Sequence, residues 1–213
     1  MNSYCVIGLG RFGMNVAKEL IRLGHEVMVI DRDKNVLRQV TDMATYAIEA
    51  DVLNEHALKE AGIGNCDCVI VGTAEEPQAA IMATMIAKEM GVPMVVAKAS
   101  SDLHARVLKR VGADKIIFPE KESGTRLAHL VGNRGIVDFI PLEEDISIVE
   151  LVPPESWLNK KLKELDLRNK FHISVIAIKN DTHINAVPTA DSKIKAGNTL
   201  IVIGESKDIE RIQ

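Results

Sequence analysis

Over its first 118 residues the chain alternates short, wholly apolar runs with longer amphipathic stretches. The first run ends at Val6-Ile7, and behind it Phe12, Val16, Leu20 and Leu23 recur at helical spacing until Gly24-His25 closes the stretch. Residues 26–30 read as a second buried strand, 34–42 as a short helix and 46–50 as a third strand. Asn54 is placed to cap a helix over 55–61 that Gly62 ends. Cys68–Val71 forms the fourth strand, and 77–90 a long helix with Pro77 in its first turn and Gly91 past its end. A fifth strand over 94–97 follows. Ser101 or Asp102 then caps a helix to about Val111, and 115–118 supplies a sixth strand.

Buried strands separated by helices predict a parallel, doubly wound α/β sheet of Rossmann type. After Pro119 the pattern changes. Residues 123–131 read as a crossover helix, and Gly132-Asn133-Arg134-Gly135 as a hinge. A half-buried strand at 146–151, a short helix at 157–165 and a strand at 173–178 come next. Residues 183–187 pair back through the turn at Asn180-Asp181-Thr182. A strand at 199–203 and a final helix capped by Ser206 complete a small α+β lobe. The expected division is 1–132 for the sheet domain with its crossover helix, 133–142 for the hinge and linker, and 143–213 for the small lobe.

The candidate chemistry lies just past the first strand. Gly8-Leu9-Gly10-Arg11-Phe12-Gly13 keeps the G-x-G-x-x-G spacing between a strand and a helix, the context in which this motif binds a nucleotide. The first glycine allows the sharp turn, the second the approach of a phosphate, and the third close packing of helix on strand. The helix N-terminus offers free N–H groups and the positive end of its dipole. Asp31 ends the second strand 18 residues after Gly13, where a carboxylate binds ribose hydroxyls. The other strand ends bring Arg32, Asp51, Val52, Thr73, Ala74 and Lys98 to the same rim. Arg11 is a cation in the first helical turn, where the dipole disfavours it unless an anion is present. It either faces phosphate or swings to solvent. Glu75 and Glu76 stand near this rim and oppose a polyphosphate.

Composition narrows the classes. The 213 residues are 46% hydrophobic, 26% charged and only 3% aromatic, so aliphatic side chains fill the core and base-stacking surfaces are scarce. A net charge of −4 without a basic run disfavours nucleic-acid binding, including a redox-sensing DNA-binding reading. No apolar run approaches about 18 residues and no basic leader precedes the first strand, so the chain is expected neither to span a membrane nor to be exported. Three cysteines cannot all pair internally, and Cys66-Asp67-Cys68 falls short of a zinc set. His172 and His183 have no acid at a telling spacing, and no hydrolase, zincin or P-loop motif is present. No enzyme is expected. The alternative is an NAD-dependent oxidoreductase built on the same lobe, which would need a substrate domain and a proton donor beside the cofactor.

The glycine turn, together with Gly24-His25-Glu26-Val27, Asp31, Gly112-Ala113-Asp114 and Pro119-Glu120-Lys121, resembles the RCK (KTN) regulatory subunits of bacterial Trk/Ktr potassium-uptake systems. The resemblance spans the whole chain. It implies a cytoplasmic regulatory subunit at the inner face of the cell membrane, docked on an integral-membrane potassium-translocating subunit. It further implies dimers assembling into an octameric ring whose shape answers to ATP or ADP, with NAD(H) bound in some relatives. On the same grounds Arg11 contacts the terminal phosphate, and Glu120 contributes to a divalent-cation (Mg or Ca) site or stays a solvated carboxylate beside Lys121. Because it follows the last strand and precedes the glycine hinge, the crossover helix is expected to carry Leu127, Leu130 and Val131 to a neighbouring subunit, the alternative being a helix packed within its own chain. Cyclic di-AMP, bound by the small lobe in some relatives, would meet Ile176, Ala177, Ile178, Asn185 and Pro188, residues that core packing also explains.

Overall fold

A computed structural model describes residues 2–73, 76–133, 135–142 and 145–212. Ala74 and Glu75 at the rim and Arg134 of the glycine hinge lie outside the described residues. The chain divides into two compact units, Met1–Pro119 and Glu120–Gln213.

In the first unit β1 (Ser3–Ile7), β2 (Glu26–Asp31), β3 (Tyr46–Glu49), β4 (Cys68–Val71), β5 (Met94–Lys98) and β6 (Lys115–Ile117) pair in parallel in the order β3-β2-β1-β4-β5-β6. The order reverses between β1 and β4, which leaves a crevice at the carboxyl ends of these strands. Both faces are buried, as parallel sheets require. Cys5, Ile7, Val69 and Val71 face one apolar cluster, while Val6, Cys68 and Ile70 face the other. Each buried Ile or Val contributes about 1.5–3 kcal/mol by leaving water.

The helices of this unit are α1 (Arg11–Arg22), α2 (Lys34–Leu37), α3 (Glu55–Glu60), α4 (Pro77–Glu89) and α5 (Asp102–Arg110). Asn54 caps α3 through Ala57 N–H at 3.2 Å. Ser101, rather than Asp102, caps α5 through His104 N–H at 3.1 Å. In α4 the small residues Ala79, Ala80, Ala83 and Ala87 are buried and let the helix lie close to the sheet. Its one buried hydroxyl, Thr84 Oγ1, is satisfied by the Ala80 carbonyl at 2.7 Å.

Helix α6 (Pro119–Gly132) begins at the boundary, and Leu130 packs on the core of the second unit. Residues 136–141, in the stretch expected as linker, form strand β7 (Ile136–Pro141). Ile136 and Phe139 enter the core, and Arg126 on α6 clasps Asp138 in a two-pronged pair at 2.8 and 2.9 Å. With β8 (Ile146–Leu151), β9 (Ser174–Lys179), β10 (Ile184–Asn185) and β11 (Thr199–Glu205) it makes an antiparallel sheet ordered β10-β9-β11-β8-β7.

The helix expected over 157–165 is broken. A single 3-10 turn at Glu155–Trp157 buries Trp157, Asn159 takes a left-handed φ of 64°, and only α7 (Leu162–Leu165) is helical. The competitor is tertiary. Asn159 N–H donates to the Ile194 carbonyl at 2.7 Å and Leu162 N–H to the Ser192 carbonyl at 3.0 Å, bonds a continuous helix could not make. Helix α8 (Leu167–Phe171) follows, and Phe171 meets Trp157 at 5.5 Å between ring centroids. The expected strand at 183–187 shrinks to β10 because Asn185 Oδ1 turns back on Val187 N–H at 3.2 Å. Ser206 does not cap α9 (Ser206–Glu210) but is its first residue, with Glu205 at the cap position.

Candidate functional site

The glycine turn joins β1 to α1 at the point where the strand order reverses. Gly8 has a φ of +85°, in the left-handed region, and a Cβ there would come within 2.8 Å of Thr73 N. Gly13 is tighter still: its Cβ would stand 2.0 Å from the Gly8 carbonyl oxygen, so the first turn of α1 lies directly against the strand end. At Gly10 the added carbon would face open space among the described residues. Packing therefore accounts for the first and third glycines and leaves the second facing outward. Gly72, which the sequence places on the same rim just past the fourth strand, closes the same contact, its Cβ position 2.9 Å from the Gly8 oxygen. Its packing role against Gly8 and Gly13, as distinct from its place on the rim, had no sequence signal.

Helix α1 starts from Gly10, has no acidic residue in its first turn and carries exposed Arg11 there. No side chain of its own N-terminus offsets the dipole, and Arg11 adds to the positive potential. Phe12 is half-buried, and the Lys98 ammonium at the end of β5 lies 6.0 Å from its ring centroid.

Asp31 does more than the spacing anticipates. Its Oδ2 accepts from Leu9 N–H at 2.6 Å and its Oδ1 from Asp33 N–H at 2.8 Å. The carboxylate thus pins the glycine turn to the end of β2. Each oxygen keeps a second lone pair for a ligand hydroxyl. Arg32 pairs with Glu76 at 2.8 Å, both exposed, so the Glu76 charge is offset locally. Asp51 accepts from Leu53 N–H at 2.9 Å and borders an open depression of ≈ 620 Å³ with Asn54, His56 and Lys59. Val52 packs on the core beneath. Thr73 is half-buried beside Gly8, and Ala74 lies outside the described residues.

One further rim residue had no sequence signal. His104 is buried, and its Nδ1 accepts from Ser100 N–H at 3.2 Å, holding the loop after β5. Burial keeps its pKa below the ordinary 6.5, with the Pro77 backbone opposing in part.

Glu120 is exposed in the first turn of α6. Among the described residues no three His, Cys, Asp or Glu side chains are grouped to hold a metal ion. In the small lobe Ala177 and Ile178, neighbours on β9 that point to opposite faces of the sheet, are both buried, Ile178 within the lobe's core cluster; Ile176 is exposed, and Asn185 is engaged with Val187. His172, expected to lack a paired acid, lies 3.3 Å from Asp208, which also receives Arg211. No helix among the described residues is long and apolar enough to cross a membrane.

A glycine turn at the switch point, an uncapped helix start and a carboxylate at the end of β2 define a Rossmann-type nucleotide-binding domain followed by a separate antiparallel lobe. Residues 4–119 match the TrkA-N domain and residues 146–213 the TrkA-C domain. The chain belongs to this TrkA-N/TrkA-C family of potassium-uptake proteins. It is 38% identical over 99% of its length to Ktr system potassium uptake protein C of Bacillus subtilis (strain 168), covering 95% of that relative. Its fold matches the GsuK RCK domain with a TM-score of 0.66 at 14% identity, over 99% of this chain and 47% of that one. It matches the GsuK channel bound to NAD equally, with a TM-score of 0.66 at 13% identity, over 97% of this chain and 38% of that one. The chain thus spans about half or less of those structures. The kinship does not favour the oxidoreductase alternative.

Proposed function

We propose that this chain is a nucleotide-sensing, non-enzymatic gating subunit of a potassium-uptake system, with ATP and ADP, or NAD(H), competing for the Rossmann crevice. The observation that carries this reading is the glycine turn. Gly10 faces open space at a helix start that no acidic side chain offsets, with Arg11 beside it. Such a place favours phosphate. In this reading Gly8, Gly10, Phe12 and Gly13 shape the phosphate cradle and Arg11 meets the terminal phosphate. Asp31 takes the ribose hydroxyls, and Arg32, Asp51, Val52, Thr73, Ala74 and Lys98 line the rest of the crevice.

Kinship with a Ktr system potassium uptake protein supports the remainder: a homo-oligomeric ring, built of dimers up to an octamer through α6 with Leu127 and Val131 exposed. The ring docks at the cytoplasmic face of the membrane on a potassium-translocating subunit. Glu120 alone does not make a cation site. A magnesium or calcium ion there would draw most of its ligands from nucleotide phosphates. Cyclic di-AMP in the small lobe finds less support, since Ile178 is spent on the lobe's own core.

Titration calorimetry of ATP, ADP and NADH against the intact protein and against Arg11→Ala tests the reading. Loss of a charge-assisted contact to the terminal phosphate weakens ATP by about 1.5–3 kcal/mol and ADP by less. Equal losses for both nucleotides would remove Arg11 from the discriminating role. Absence of binding by any of the three would remove the reading itself.

A further inference from the structure

In the second unit two segments of chain lie side by side outside the five-stranded sheet. Asn159 N–H donates to the Ile194 carbonyl at 2.7 Å, Ile194 N–H to the Lys160 carbonyl at 3.0 Å, and Leu162 N–H to the Ser192 carbonyl at 3.0 Å. These bonds bracket an antiparallel bridge that sets Lys161 directly opposite Lys193. Residues opposed in this way point to the same face, and residues two apart on an extended segment share it. Ile194 points inward and is fully buried, so Asp191, Lys193 and Lys195 share the outer face with Lys161. Lys163 joins them, because its ammonium and that of Lys161 both pair with Asp191, at 2.7 and 3.0 Å.

Like charges directly opposite each other destabilise a strand pair. Here four lysines meet one aspartate, and it is already committed: Lys163 and Lys161 hold the Asp191 carboxyl down to about 2. Lys193 and Lys195 are exposed and make no ion pair among the described residues. Glu164, whose Oε2 accepts from Lys161 N–H at 2.7 Å, leaves the ridge with a positive surplus. We propose that this lysine ridge is a docking surface for an anionic lipid bilayer.

The chemistry of the ridge favours a bilayer over other polyanions. Lysine ammoniums are compact point charges that suit a diffuse sheet of headgroups, and no arginine fork is present to clasp a single phosphate. No aromatic side chain stands among these residues to stack on a base, which argues against a nucleic acid. On the stretch leading into Asp191, Val187 is 81% exposed, an apolar residue of the kind that enters the headgroup boundary. The chain's net charge of −4 repels an anionic surface elsewhere, so attraction confined to the ridge also orients the protein.

The test is flotation of the intact chain with vesicles of phosphatidylglycerol and phosphatidylcholine, and with phosphatidylcholine alone, at low and high salt. The chain should float with the anionic vesicles at low salt, stay behind with the neutral ones, and be released as salt rises. Each lysine near an anionic surface strengthens binding about fivefold, so Lys193→Ala combined with Lys195→Ala should weaken it about twenty-five-fold. Lys109→Ala combined with Lys115→Ala, the same charge change on exposed residues of the first unit, should leave it unchanged. Lys193→Glu alone makes an equal change of charge and decides the matter where the double variant folds poorly. The proposal does not rest on the nucleotide reading, and nucleotide binding should be the same in all these variants. Equal flotation with both kinds of vesicle, equal losses from the two lysine pairs, or retention on RNA or an acidic peptide without flotation would each overturn it.

Discussion

Replacing Asp31 by alanine should destabilise the first unit even with no nucleotide present. The substitution strips the acceptors from Leu9 N–H, at 2.6 Å, and Asp33 N–H, at 2.8 Å. Hydrogen bonds to a charged group contribute about 1.5–3 kcal/mol each. The Asp33 bond is exposed and is discounted for screening, which leaves about 2–3 kcal/mol for the pair. With a urea slope of about 2 kcal/mol per molar, the midpoint drops by about 1 M. Trp157, the single tryptophan, sits in the other unit, so its fluorescence does not report the change. Far-UV circular dichroism and hydrogen exchange at the Leu9 amide do. Asp31→Asn, which keeps a neutral acceptor, should fall between the two. An unchanged midpoint together with unchanged Leu9 protection in Asp31→Ala would show that the carboxylate does not hold the turn.

Two other outcomes follow from the geometry. Gly13→Ala places a carbon 2.0 Å from the Gly8 oxygen, a backbone atom that cannot swing aside, so the start of α1 must move. Overpacking of this kind costs about 1–3 kcal/mol or more, and calorimetry should find nucleotide binding lost while Gly10→Ala still folds with the wild-type circular dichroism spectrum. Acid should loosen the same unit through Asp114 and Asp67. Val95 N–H and then Lys88 hold Asp114 below the ordinary 3.8, and Ser3 does the same for Asp67. Groups lowered on folding contribute stability above the unfolded value and lose it as pH falls through the folded one. Urea midpoints should therefore decline below about pH 4, more shallowly in Asp114→Asn. A decline identical to wild type would remove Asp114 from the account.

What the sequence disclosed and what it hid divide along physical lines. Gly8 and Gly13 were legible because a positive φ at the one and a backbone approach at the other leave only glycine, Gly10 because it completes the motif's spacing, and all three because strand and helix periodicities flank them. Asp31 was legible as a site residue but not as the latch on Leu9, since that bond crosses 22 residues. The sequence brought Arg32 and Glu76 to one rim, but their pairing at 2.8 Å, which offsets the Glu76 charge, is a contact no local pattern states. Ser101 and Asp102 were equal as caps until the backbone chose Ser101. The small lobe misled most. Its 157–165 stretch has helical spacing, yet pairing with residues 190–194 overrides it. Strand β7 sits in a stretch whose glycines read as hinge.

The central claim is that nucleotide identity sets the conformation of the assembly, and a ligand shifts such an equilibrium only through different contacts in the two states. Small-angle scattering of the purified assembly, saturated in turn with ATP and with ADP, measures this most directly. The account predicts two distinct scattering curves whose difference shrinks in Arg11→Ala. Superimposable curves for the two nucleotides in the wild-type protein, with binding of both verified in the same samples, would contradict it.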